Sequence, residues 1–120
     1  MALTETLRPG EFILAEANGT ISREQVTILS GQNLAAGTVV GKVSASGKYI
    51  AYDDDNADGS QTAAGILYAA VDASAADAPG VIISRDAEVA DGQLVWAGTN
   101  DAGDKTAGKA DLAALDIILR

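Results

Sequence analysis

The side chains best suited to bind a ligand in this 120-residue chain are the oxygen-bearing groups of one acidic loop. Asp54, Asn56 and Asp58 occupy alternate positions and are followed by Gly59. This spacing is the first half of a calcium-binding loop, in which alternate oxygen ligands surround the ion and the glycine permits a sharp turn. The twelfth position is Gly65, where such a loop needs a bidentate glutamate. We therefore interpret the loop as a solvated turn that binds no metal, and keep a calcium-binding β module as an alternative.

The composition argues against catalysis, because the chain contains no histidine and no cysteine. Ser-His-Asp and Cys-His arrangements are thereby excluded, and the commonest general base is missing. Carboxylate pairs such as Asp86 with Glu88 could cleave a glycosidic bond only beside a cleft that holds the sugar. One Trp, three Tyr and one Phe offer little aromatic surface for such a cleft. We expect a protein that is not an enzyme, with no catalytic residues and no cofactor.

The charge and hydropathy limit the classes of partner. A net charge of −9 with only eight basic residues, scattered singly, argues against nucleic acid, which needs clustered Lys or Arg. No apolar run approaches the length of a membrane span, so we expect no membrane partner. The hydrophobic fraction is 48%, but much of it is alanine. Such small side chains bury little area each, and a thin core of this kind favours oligomerisation.

Glycine turns divide the chain into short strands. Asn18-Gly19 is a two-residue hairpin signal, and it predicts that residues 11–17 pair with residues 20–28. A second hairpin is expected across residues 44–47, and further short strands at residues 64–71, 80–84 and 93–97. The last of these carries Trp96, which we interpret as a core anchor.

The C-terminal segment has a different pattern. Asp104 is a candidate helix N-cap, and the alanines and leucines that follow have amphipathic helical spacing. Ile117–Leu119 then resembles a terminal strand. The sequence predicts one small α+β domain, predominantly β, with short strands, one C-terminal helix and an extended N-terminal arm.

Three runs carry a family resemblance: GQNLAAGTVVGKV from Gly31, AAGILYAAVDAS from Ala63 and RDAEV from Arg85. With LVW from Leu94 and the final LAALDIILR, they resemble the head decoration proteins of tailed bacteriophages. Asp116 is a departure, since related tails tend to have glycine at the end of the helix. The resemblance implies a homotrimeric cement protein, made in the host cytoplasm, that binds the major capsid protein. It would lie on the outer surface of the expanded head and stabilise it against the pressure of packaged DNA.

The resemblance also implies a division into an N-terminal capsid-binding arm, residues 1–10, and a decoration domain, residues 11–120. The arm is polar and ends at Pro9-Gly10, a dipeptide that interrupts regular structure. Leu3, Glu5 and Leu7 alternate with Thr4 and Thr6, which suits addition as an edge strand to a capsid sheet. The expected arm contacts are Leu3, Thr4, Glu5, Thr6, Leu7 and Arg8.

A carrier module is the alternative from another class. The glycine-spaced run at residues 32–43 is similar to the turns of lipoyl and biotinyl carrier domains. Such a domain needs a lysine at the tip of a tight hairpin, typically beside Asp or Met. Lys48 instead lies between Gly47 and Tyr49, so we interpret it as a surface cation at the start of a strand.

Overall fold

The computed structural model describes residues 8–19, 21–98 and 100–120. Strands account for 38% and the helix for 14% of the structure, which confirms an α+β fold that is predominantly β. The strands are β1 (Ile13–Glu16), β2 (Arg23–Ile28), β3 (Gln32–Leu34), β4 (Val39–Lys42), β5 (Tyr49–Ala51), β6 (Ala63–Leu67), β7 (Val71–Ala73), β8 (Ala78–Ile83), β9 (Ala87–Val89) and β10 (Ile117–Leu119). A 3₁₀ turn at Asp91–Gln93 and the helix α1 (Ala102–Ala114) lie between β9 and β10.

Five strands close into a small barrel in the order β2-β5-β4-β6-β8. The longest pairing is antiparallel, between β2 and β8, and runs from Arg23 opposite Ile83 to Ile28 opposite Ala78. Strand β4 pairs with β5, as the predicted second hairpin requires. Strands β3 and β7 form a separate antiparallel pair. Alternation along β2 puts Val26 and Ile28 on one face, where both contact the barrel interior.

A three-stranded sheet in the order β1-β9-β10 lies beside the barrel. Strand β1 is antiparallel to β9, with a register shift between Ile13 and Ala15. Strand β10 is parallel to β9, with Ile117 opposite Ala87 and Leu119 opposite Val89. A parallel neighbour needs a long crossover connection, and α1 provides it.

Two groups of buried side chains form the core. One fills the barrel and includes Ile28, Val40 and Leu67. The other lies between the barrel, the three-stranded sheet and α1, and includes Phe12, Tyr52 and Leu112. The second group joins the barrel, the three-stranded sheet and α1, so the chain is a single small domain.

The helix begins one turn earlier than expected. Its N-cap is Asp101, whose side chain accepts a hydrogen bond from the N–H of Asp104, while the Asp104 side chain accepts one from the N–H of Asp101. This reciprocal capping box satisfies two backbone donors. The prediction of Asp104 as N-cap was thus wrong by three residues. At the other end Asp116 takes a left-handed conformation with φ 62°, a conformation that glycine usually supplies at the end of a helix.

Two strand predictions were also wrong. Asn18-Gly19 does form a turn, but β1 pairs with β9 and β2 pairs with β8, so the flanking strands belong to different sheets. Residues 93–97 make only an isolated bridge, between Val95 and Thr38. The 3₁₀ turn and the loop after it occupy this segment instead.

Candidate functional site

Residues 8–11, at the end of the predicted arm, are held against the barrel by hydrogen bonds. Of the predicted arm contacts, Arg8 is described and exposed, whereas Leu3, Thr4, Glu5, Thr6 and Leu7 lie outside the described residues. The Arg8 N–H donates to the Glu11 carboxylate at 3.2 Å, and the Glu11 N–H donates to the Arg8 carbonyl at 3.1 Å. The Gly10 N–H donates to the Tyr68 carbonyl at 2.8 Å. Gly10 is therefore held at one defined place, beside the end of β6.

Gly10 is required at that place. Its φ is +69°, and a Cβ atom there would lie 2.6 Å from the Tyr68 ring. On that ring the Arg23 guanidinium stacks at 4.3 Å from the centroid, and it also pairs with the Glu16 carboxylate at 2.8 Å. The hydrogen bond to Glu16 raises the pKa of Arg23. Sequence reasoning missed Tyr68; a signal for it is an aromatic residue directly after the apolar run at residues 63–67.

The acidic loop folds as a turn closed by its own side chains. The Asp58 carboxylate accepts hydrogen bonds from the hydroxyl and the N–H of Ser60, and these lower the pKa of Asp58. The Asn56 amide donates to the same hydroxyl at 2.8 Å, and Asp54 accepts from the Tyr52 hydroxyl at 3.3 Å. Within the described ranges, no group of three or more His, Cys, Asp and Glu side chains is arranged to hold a metal ion. The loop's polar groups thus already bond with protein partners.

Lys48 lies beyond the hairpin turn, at the start of β5. Its carbonyl accepts from the Val43 N–H at 2.8 Å, and its ammonium pairs with Asp77. The Asp77 carboxylate accepts hydrogen bonds from the Lys48 ammonium and from the Ser30 N–H, and both lower the pKa of Asp77. Lys48 therefore ties the β4–β5 hairpin to the connection between β7 and β8. A carrier lysine would instead need to be free at the hairpin tip.

Trp96 is half-buried and packs against the core between the barrel and α1. Its ring meets the buried Tyr52 edge-on, with 5.9 Å between centroids. The Tyr52 hydroxyl donates to the Asp104 carbonyl at 2.8 Å, and burial followed by the charge of Asp54 raises the pKa of Tyr52. Both rings face Gly108, where a Cβ atom would lie 2.8 Å from Trp96 and 3.0 Å from Tyr52. The helix can approach the barrel only because this residue has no side chain.

The side chains of Glu88, Asp101 and Asp104 have partners in the structure, whereas Asp86 is held through its backbone. Glu88 pairs with Arg120 at 3.0 Å, and Asp101 with Asp104 forms the capping box of α1. Asp86 has φ 50°, and its carbonyl accepts from the Ser22 hydroxyl at 2.7 Å. None of the helices in the described part of the chain is both long and apolar enough to span a membrane.

A comparison of the sequence with protein-family models finds a match that covers nearly all of it. The model of the family described as bacteriophage lambda head decoration protein D matches residues 2–117, nearly the whole chain. A comparison with curated proteins gives no significant match. The family match extends through the predicted arm, the barrel and α1, and ends at the first residue of β10.

Proposed function

This chain belongs to the bacteriophage lambda head decoration protein D family, and on that premise we propose that it is a trimeric cement protein of the phage head. Membership in the family supports a role in capsid decoration and a location in the virion capsid. We propose further that the protein binds the major capsid protein on the outer surface of the expanded shell. There it strengthens the shell against the pressure of the packaged DNA, without catalysis. The single observation that carries this proposal is the family match over residues 2–117.

We propose that residues 1–10 are the capsid-binding arm and residues 11–120 the decoration domain. The end of the predicted arm supports this division, because the hydrogen bond from Gly10 to Tyr68 anchors the chain just before β1 begins. If the arm is extended, Leu3, Glu5 and Leu7 share one face and Thr4 and Thr6 the other. Such a segment can add to the edge of a sheet through its backbone, and its side chains then supply specificity.

Linkage explains how binding would strengthen the shell. A partner that binds only the expanded lattice stabilises that lattice. The stabilisation is about 2.7 kcal/mol per site when the free concentration of the partner is a hundred times its Kd. A trimer carries three arms on one rigid body. Once the first arm binds, the second and third bind intramolecularly, at a raised effective concentration. A modest affinity of each arm is therefore enough for stable decoration.

The test is deletion of residues 2–7, which retains the Arg8–Glu11 turn and the Gly10–Tyr68 hydrogen bond. We expect the variant to melt at the wild-type temperature and to lose binding to undecorated expanded capsids in co-sedimentation. A loss of at least about a hundredfold is expected, because three strand additions disappear together. Wild-type occupancy by the deletion variant would show that the domain alone binds.

Leu7→Pro is the matched point variant, since proline removes one backbone donor from the middle of a paired strand. We expect it to weaken capsid binding less than the deletion does. Leu7→Ile, which retains both the donor and the apolar side chain, is the control and should bind as wild type. Equal binding by the proline and isoleucine variants would argue against strand addition by the arm.

A further inference from the structure

The exposed face of the three-stranded sheet is unusually apolar for this acidic protein. Three large hydrophobic side chains among residues 8–19, 21–98 and 100–120 are about half exposed: Leu14 at 54%, Ile21 at 55% and Ile118 at 49%. Leu14 lies on β1 and Ile118 on β10, and Ile21 lies in the connection that leaves β1. Exposed apolar side chains that gather on one surface mark an interaction site more often than scattered ones do.

Strand register places Leu14 and Ile118, but not Ile21, on the three-stranded sheet. Ala15 lies opposite Glu88, and Ile118 lies opposite the same residue on the other side. Neighbouring strands are about 4.8 Å apart, so Ala15 and Ile118 are separated by roughly 10 Å across the face. The register shift after Ile13 leaves Leu14 as an extra residue of β1, with its side chain exposed. We call the surface formed by Leu14, Ala15, Glu88 and Ile118 the sheet face.

Carboxylates surround the sheet face. A groove of about 370 Å³ crosses it and is lined in part by Asp86, Glu88, Asp116 and Ile118. Glu88 is paired with Arg120, but within the described ranges Asp86 and Asp116 form no ion pair. These two aspartates are also the non-glycine residues with positive φ in the described structure, at 50° and 62°. The apolar centre is thus bordered by exposed negative charge.

This charge decides between a second copy and another partner. If two copies met through their sheet faces, Asp86 and Asp116 of each copy would approach like charges, which is unfavourable. In a trimer the sheet face would meet a different surface of the next copy. Five of the eight basic side chains already pair with carboxylates of the same chain, so a second copy offers few cations for this rim. A partner with apolar side chains bordered by Lys or Arg would instead complement both the centre and the rim. The position of the arm points to the same partner, because Leu14 follows Gly10 by four residues, at most about 14 Å of chain.

We propose that the sheet face is a second capsid contact, which docks on a part of the shell that presents apolar side chains bordered by basic ones. The inference rests on the proposed function, since it takes the partner to be the shell that the arm binds. The arm then holds the sheet face against the shell, and the two contacts act together.

The test is a double variant, Leu14→Ser with Ile118→Thr, which removes the two exposed apolar side chains and retains a β-branched residue on β10. The matched control is Ile50→Thr, the same change on barrel strand β5, where the half-buried Ile50 belongs to neither core group. We expect the double variant to raise the Kd for undecorated expanded capsids about tenfold or more, as the loss of central apolar contacts does in protein interfaces. Its melting temperature and oligomeric state should match those of the control.

Wild-type capsid binding by the double variant would overturn the inference. If deletion of residues 2–7 still abolished binding, the proposed function would stand without it. A double variant that fell apart into monomers would also overturn the inference, because the sheet face would then be a contact between copies. If the deletion and the double variant both bound as wild type, the inference and the proposed role of the arm would fail together.

The charged border has its own test. Asp86→Asn with Asp116→Asn removes two negative charges and retains side chains that tolerate positive φ. We expect this variant to bind capsids more weakly than wild type at low salt. Its affinity should also fall less than that of wild type as ionic strength rises. Tighter binding by this variant would mean that the facing surface is acidic, and would refute the proposed partner chemistry.

Discussion

At the scale of single residues, Gly108 shows how packing can outweigh helix propensity. Glycine in a helix costs about 1 kcal/mol relative to alanine, so Gly108→Ala should stabilise an isolated helix. Here the added Cβ would lie 2.8 Å from Trp96 and 3.0 Å from Tyr52, which forces two core rings to move. Overpacking of this kind costs about 1–3 kcal/mol. We therefore expect Gly108→Ala to lower the free energy of unfolding, measured by urea denaturation.

Thr106→Ala is the control for this prediction, because Thr106 is an exposed residue of the same helix. It raises helix propensity without adding volume to the core, although it removes a hydrogen bond from the Thr106 hydroxyl to the Ala102 carbonyl. We expect its effect to stay within about 0.5 kcal/mol of wild type. If Gly108→Ala stabilised the protein, the close approach of α1 to the two rings would be disproved.

At the scale of elements, sequence patterns predicted local structure better than strand pairing. The β4–β5 hairpin and the terminal strand β10 were predicted, because turn residues and short apolar runs specify them locally. The pairing of β1 was not, although Asn18-Gly19 does turn the chain. After this turn the Ser22 hydroxyl accepts from the Ala17 N–H and donates to the Asp86 carbonyl, a residue 64 positions away. Such long-range contacts leave no local signature in the sequence.

Parts of the candidate site were likewise visible in the sequence, and parts were not. The acidic loop and the arm were visible as runs of residue types, and the family resemblance extended to nearly the whole chain. The sheet face could not be predicted, because Leu14 and Ile118 are 104 positions apart and meet only through pairing with β9. Asp86 and Asp116 were noted in the sequence for other reasons, one in a carboxylate pair and one in place of a helix-end glycine. That they lie at the same end of the sheet face follows only from the parallel pairing of β9 and β10.

The acidic loop gives a prediction about metal binding at the same scale. Its carboxylates already accept hydrogen bonds from the Ser60 and Tyr52 side chains, so calcium would have to displace these partners. We expect neither a chelator nor millimolar calcium to change the melting temperature beyond experimental error. A rise of several degrees with calcium would restore the alternative of a calcium-binding module. Magnesium at the same concentration is the control for a general effect of divalent ions.

At the scale of the whole molecule, the core is better filled than the alanine-rich composition predicts. Many of the fully buried side chains are branched aliphatic ones, and Phe12 and Tyr52 are the aromatic residues among them in the described chain. If the free protein is a trimer, folding and assembly are linked, and its stability depends on protomer concentration.

A dilution series tests this linkage. For a trimer, each tenfold dilution lowers the free energy of unfolding per protomer by two-thirds of about 1.4 kcal/mol. This loss lowers the melting temperature of a domain of this size by about 3–5 °C. We expect that dependence in thermal melts, and a trimer mass by native mass spectrometry at micromolar concentration. Deletion of residues 2–7 should leave both results unchanged, because we assign the arm to the capsid and not to the trimer.

A monomer with a concentration-independent melting temperature would mean that trimers form only on the shell, where the lattice supplies the effective concentration. A dimer that persisted on the shell would contradict the trimeric assembly itself.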